Sequence, residues 1–202
     1  MKIPQALITS LLFLLCCLPV IVLGVGAATG GLGANPTETL IRELGQWGLR
    51  LLLITLMATP ARRWLGWGLL LTYRRMVGLF AFFYVLLHLL GFIWFDHFFD
   101  WQEVLADVVK RPFITLGMLA LLLLVPLALT STRRAVIWLG FRRWQQLHKL
   151  LYVAVSLALV HFFLLVKADL MEPIVYLLAW IALICLRLPG GYFKRWRKPV
   201  NE

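Results

Sequence analysis

Charge is scarce in this chain, and acidic charge scarcer still. Of 202 residues only 14% are Asp, Glu, Lys or Arg, and only nine are acidic, against roughly a quarter charged in an ordinary soluble domain. Cysteine is as sparse: Cys16, Cys17 and Cys185 sit in apolar surroundings, with no CxxC or CxxCH spacing. That excludes a disulfide framework, cysteine-held metal, thiol–disulfide exchange and covalently attached haem, and leaves the three as packing residues. The Walker loop, the dinucleotide glycine fingerprint and the zinc-protease helix motif are all missing. Nor is there a polar stretch of about 50 residues able to fold as a soluble domain, or a sequence repeat of useful length. Whatever this chain does is done inside a helix bundle or at its two faces.

What fills the sequence is apolar. It is 62% hydrophobic, with a mean hydropathy of +0.88, and its Leu-rich runs recur at lengths that a water-soluble core of this size has no use for. The expected fold class is all-α: a polytopic membrane helix bundle, one domain over 1–202. Six transmembrane helices are expected at about 8–28, 43–60, 74–95, 112–130, 148–167 and 172–189, each near the length that crosses about 30 Å of hydrocarbon at 1.5 Å per residue. The first run also has the basic start and small-residue exit of a signal peptide, with Ala27 or Ala28 as cleavage points. Its apolar stretch is long for that role, and a retained span is expected.

The formal charge is +11, yet its distribution points to lipid rather than nucleic acid. If six helices alternate, Lys2, the arginines of "ARRWLGWGLLLTYRR", the cluster from Arg133 to Lys149 and the tail from Arg187 to Lys198 fall on one side, fifteen of the twenty basic residues. The acidic residues, Glu202 excepted, fall on the other side or in its helix ends. That is the positive-inside pattern: both termini cytoplasmic, "FDHFFDWQEVLADVVKR" outside, the basic clusters serving as anchors to anionic lipid or as a face for a cytoplasmic partner.

Histidine is rare as well, four in all, and therefore informative. His88 lies seven residues before the expected outer end of the third span at Phe95, and His161 six before that of the fifth at Lys167. Two antiparallel helices thus carry imidazoles at nearly the same depth. An imidazole in lipid must be hydrogen-bonded or metal-bound, and a matched pair suits the two axial positions of a b-type haem iron. Gly78, Gly91, Ala154, Ser156 and Ala158 are small enough to admit a flat ligand nearby. His148 starts the fifth span at its inner end, 13 residues before His161, about 20 Å of rise but about 140° around an ideal helix. The matching inner position on the third span holds Arg74 and Arg75, so a second bis-histidine haem does not follow. His148 is left as a contact for a flavin or quinone, a proton acceptor, or a ligand with another partner. His97, beside Asp96, reads as solvated. Two other readings stay open: a proton-coupled transporter, and a structural membrane anchor without haem.

The stretches "TYRRMVGLFAFFYVLLHLLGFIWFD" and "LALTS" followed by "LGFRRWQQLHKLLY", with the distal histidine and the span order, resemble the ferric reductase-like transmembrane family over essentially the whole chain. Larger relatives carry two histidine pairs and a soluble flavin and nicotinamide domain, neither of which this sequence displays. The resemblance implies an electron conduit in a bacterial inner membrane, with haem b and FMN as cofactors and haem iron on His88 and His161. It implies donors in the quinol pool or a cytoplasmic flavin reductase, and a periplasmic molybdopterin-containing subunit that does the methionine sulfoxide chemistry. On this reading His148 attends electron entry, and Arg74, Arg75, Arg142 and Arg143 meet an FMN phosphate or haem propionates.

Overall fold

The computed structural model describes residues 4–166 and 169–187, and every regular element among them is helical. Helices α1 (Gln5–Thr29), α2 (Pro36–Leu65) and α3 (Gly68–Gly91) come first, and α3 runs on through a π-helical turn, Phe92–Asp96. A short helix α4 (Trp101–Lys110) precedes α5 (Pro112–Leu129). Two more short helices, α6 (Arg133–Leu139) and α7 (Phe141–His148), lead into α8 (Leu150–Leu165), and α9 (Met171–Cys185) follows. Lys2, Lys167, the basic residues after Arg187 and the last positions of the sixth expected span lie outside the described residues.

Local chemistry sets the boundaries. Asn35 caps α2, its side chain accepting from the Glu38 amide, with Pro36 in the first turn and Gly66 left-handed at the exit. Asp100 accepts from the Gln102 and Glu103 amides to start α4, Pro112 opens α5, and Thr132 accepts from Ala135 to start α6. Each device satisfies backbone groups that a helix end leaves open.

Four stretches are long and apolar enough to cross a membrane: α1, α3 with its π turn, α5, and α7 with α8. The second and sixth expected spans are helical too, but differ from these four. α9 has 15 residues. α2 has 30 residues but carries Glu38, Arg42, Glu43, Arg50, Arg62 and Arg63 along its length. Its mid-helix charge is compensated from α9: Arg50 donates through Nε to the Tyr176 hydroxyl (2.7 Å) and through Nη2 to Gln46 Oε1 (2.6 Å), while Gln46 Nε2 donates to Glu172 (2.7 Å). Glu43 lies 3.6 Å from Arg50, whose guanidinium covers the Trp47 ring. A charge held this way in apolar surroundings is tolerable where a bare one is not.

The helices alternate in direction, so one end of the bundle gathers residues 62–75, 133–149 and 187, and the other gathers 29–38, 96–111, 166 and 169–172. These are called below the basic and the acidic end. Two antiparallel pairs dominate the packing, α2 with α3 and α5 with α8. Small residues permit the close approach: a methyl group on Gly48 would stand 2.7 Å from the Val85 side chain, and one on Gly91 3.1 Å from Ile41. Such contacts matter in lipid, where van der Waals fit replaces the hydrophobic drive. α1 is attached by Tyr84, fully buried on α3. Its hydroxyl donates to the Cys16 carbonyl (2.7 Å) and accepts from the Val20 amide (3.1 Å), bridging the α1 backbone beside Pro19.

The short helices α4, α6 and α7 lie in stretches whose sequence signals charge but no helix. The reason is length: over two turns an apolar periodicity is indistinguishable from an irregular loop.

Candidate functional site

Between the two helix pairs lies a cavity of about 650 Å³, lined from α2, α3, α5 and α8 and of the size that holds small molecules and cofactors. His88 and His161 face each other across it, ring centroids 6.2 Å apart and planes at 79°. His88 Nδ1 lies 2.8 Å from the Ile41 carbonyl and His161 Nδ1 2.6 Å from the Phe113 carbonyl. A carbonyl can only accept, so in both rings Nδ1 carries the proton and Nε2 keeps its lone pair. Among the described residues no protein group hydrogen-bonds either Nε2.

The two half-sites repeat one construction. In α2 the accepting carbonyl belongs to Ile41, and four residues on comes Gly45, where an added methyl would meet His88 Nδ1 at 2.9 Å. In α5 the carbonyl belongs to Phe113, and four residues on comes Gly117, where a methyl would meet His161 Nδ1 at 3.0 Å. Each imidazole lies flush against the backbone of the partner helix because that helix has no side chain there. A metal held by both Nε2 atoms at the roughly 2 Å usual for imidazole needs ring centres about 6 Å apart, as they are. Orientation of the ligating ring by a backbone carbonyl is the ordinary outer shell of a metal-bound histidine. The residues therefore fit a bis-histidine porphyrin iron.

The cavity has a polar rim and an apolar floor. Leu49, Leu52, Leu121 and Leu124 line it toward the basic end, while Glu38, Arg42, Asp96, Arg111 and Asp169 border it at the acidic end. His97 stands by the rim and is not solvated as expected: its side chain is 9% exposed, with the imidazole 3.4 Å from Asp107, 3.7 Å from Glu103 and edge-on to Phe92. Asp107 in turn meets Arg111 at 3.2 Å. The chain reverses above this cluster through Phe98 and Phe99, both in the left-handed region, a conformation that bulky residues adopt only under constraint.

The remaining expected residues are elsewhere. His148 sits at the basic end of α7, its Nδ1 3.1 Å from the Trp144 carbonyl, its ring 4.0 Å from that of Trp144, and its Nε2 buried without a partner among the described residues. Arg74, half-buried, is within electrostatic range of His148, Tyr152 and Arg187; Arg187 donates to the Tyr152 hydroxyl and to the Leu56 carbonyl. Arg75, Arg142 and Arg143 are exposed. None of these five borders the cavity. Of the small residues expected to admit a flat ligand only Ala158 lines it. Gly78 packs on Thr55, Gly91 on Ile41, and Ser156 borders a separate apolar groove. Sequence reasoning missed Gly45, Gly117, Arg42 and Arg111. The signal was present, a glycine four residues after the position level with each histidine, but it becomes visible only once the helices are paired.

Comparison with known proteins gives a consistent set of likenesses. A family model described as ferric reductase like transmembrane component matches residues 44–160. The chain is 54% identical to the protein-methionine-sulfoxide reductase heme-binding subunit MsrQ of Rhodospirillum rubrum, over 91% of this chain and 88% of that one. Proteins of the same name from Caulobacter vibrioides and Herminiimonas arsenicoxydans are 50% and 47% identical, over 94% and 95% of this chain and 90% and 89% of theirs. No solved structure matches.

Proposed function

This chain belongs to the ferric reductase-like transmembrane family, and on that premise we propose that it is the b-haem electron-transfer subunit of a membrane methionine sulfoxide reductase system. The observation that carries the reading is the His88–His161 pair, two imidazoles 6.2 Å apart across one cavity, both bonded to backbone through Nδ1. The names of relatives that match over nine-tenths of this chain or more support it.

In this reading His88 and His161 would hold the haem iron through Nε2, and the Ile41 and Phe113 carbonyls hold both rings in the tautomer that offers Nε2. The group they hold supplies reversible one-electron storage. The apolar floor would keep water from the site, and with both histidines on the iron the group would transfer electrons without binding substrate. Six helices span the inner membrane, α2 and α9 among them, with both termini cytoplasmic and the acidic end toward the periplasm. There a molybdenum-cofactor subunit takes the electrons and performs the sulfoxide chemistry. Donors, the quinol pool or a cytoplasmic flavin reductase, are met at the basic end. His148 and Arg74, both half-buried there, are the residues proposed to contact quinol or FMN, with Arg75, Arg142 and Arg143 exposed around them.

A visible spectrum of the detergent-solubilised protein before and after dithionite tests the reading. A low-spin b-type spectrum is expected in the native chain and is lost in both His88→Ala and His161→Ala. A colourless native protein returns the proton-relay or plain-anchor alternatives, and unchanged low-spin spectra in both variants remove this ligand pair.

A further inference from the structure

A b-type haem is an amphipathic disc: an apolar ring with two propionate carboxylates along one edge. The cavity matches that division, with leucines toward the basic end and charge only at the acidic rim. Two of the rim residues are cations, Arg42 one turn of α2 before Gln46, and Arg111 at the start of α5, so each belongs to a different helix pair.

The charges around them leave room for an anion. Among the described residues Arg42 makes no hydrogen bond or ion pair, although Glu38 is only one turn away; Glu38 is engaged with the Asn35 side chain at 2.8 Å. Arg111 meets Asp107 through Nε at 3.2 Å, and a guanidinium has five N–H donors in a fork, so one such contact does not exhaust it. Asp169 accepts from the Met171 amide at 3.0 Å. Asp96, the remaining rim carboxylate, is within electrostatic range of both His97 and Arg111. Arg42 and Arg111 are both exposed at the rim of the cavity, and a carboxylate brought in by the ligand can accept charge-assisted hydrogen bonds from the N–H donors that their neighbours leave open.

We infer that Arg42 and Arg111 bind the two propionates, so that the carboxylate edge of the haem faces the acidic end and each helix pair contributes one histidine and one arginine to holding it. This rests on the haem reading above and goes beyond it, because it assigns the anchoring cations to the acidic rim and not to Arg74, Arg75, Arg142 or Arg143. The arginines are positioning residues. They choose which way round the disc enters, and the edge they hold is the one presented to a partner at the acidic end.

The test uses the full-length protein purified without haem and titrated with haem or with its dimethyl ester, which keeps the ring and iron but lacks the carboxylates. The native chain is expected to prefer free haem. The preference should fall by about tenfold in Arg42→Gln, the scale of one hydrogen bond between charged groups, and further in Arg42→Gln with Arg111→Gln. Arg42→Lys should restore part of it, and Arg133→Gln at the opposite end should leave it unchanged. All these variants should keep the low-spin spectrum, since neither histidine is touched. An undiminished preference for free haem in the double variant, with the low-spin spectrum intact, overturns the inference while leaving the haem reading standing. A native chain that binds neither compound overturns both.

Discussion

Gly45 and Gly117 govern how the two imidazoles seat. With any larger residue the ring must move away from the partner helix, and the Nδ1 contacts at 2.8 and 2.6 Å must lengthen with it. Crowding of this kind usually costs about 1–3 kcal/mol, and here the cost falls on ligand orientation. On the proposed haem reading, Gly45→Ala and Gly117→Ala are therefore each expected to convert a large part of the bound haem to high spin or to reduce the haem-to-protein ratio several-fold. Gly78→Ala is the control, since its added methyl would make only ordinary contact with Thr55 at 3.5 Å. Identical absorption spectra in all three variants would remove the seating role. At this scale the histidines were legible from the sequence and their seats were not. A buried imidazole stands out in an apolar run by its chemistry, whereas Gly45 is one of 15 glycines, and a backbone carbonyl leaves no mark in a sequence at all.

Among the elements, α2 shows how far hydropathy carries. The expected span 43–60 lies wholly inside Pro36–Leu65, although Arg50 falls inside it and further charge flanks it on both sides. It acquires its place through Arg50, Gln46 and the α9 residues Glu172 and Tyr176, which a linear sequence keeps 126 positions away. The fourth expected span, 112–130, falls within a residue of Pro112–Leu129, because Pro112 at one end and Pro126 with its threonine neighbours at the other mark the boundaries chemically. The proposed topology makes a prediction at this scale. Reporter fusions after Thr72, at the start of α3, and after Asp100, at the cap of α4, should lie in opposite compartments: a periplasm-dependent phosphatase active only in the second, a cytoplasm-dependent fluorophore only in the first. The same compartment for both would end the six-span arrangement and the common depth of the histidines with it.

The whole molecule is polarised. The cavity and its charged rim are set toward the acidic end, while His148 and Arg74 occupy the basic end, about 20 Å of helical rise away from His161. The equal depth of the histidines could be read by counting from each expected helix end, because depth depends only on helical rise. The division of the site between two helix pairs could not, because it depends on which helices touch. On the proposed haem reading, that division has a magnetic consequence. Each ring is fixed by a carbonyl of its own pair, and the two planes cross at 79°. Axial imidazoles set nearly at right angles donate to different d orbitals of an iron between them, so those two orbitals stay close in energy and the ferric ion retains much of its orbital moment. The frozen oxidised protein is accordingly expected to give an EPR spectrum dominated by one very large g value, with the other features broadened away. A sharp three-line rhombic signal would mean that the rings turn toward parallel when they bind iron, pulling at least one of them off its carbonyl.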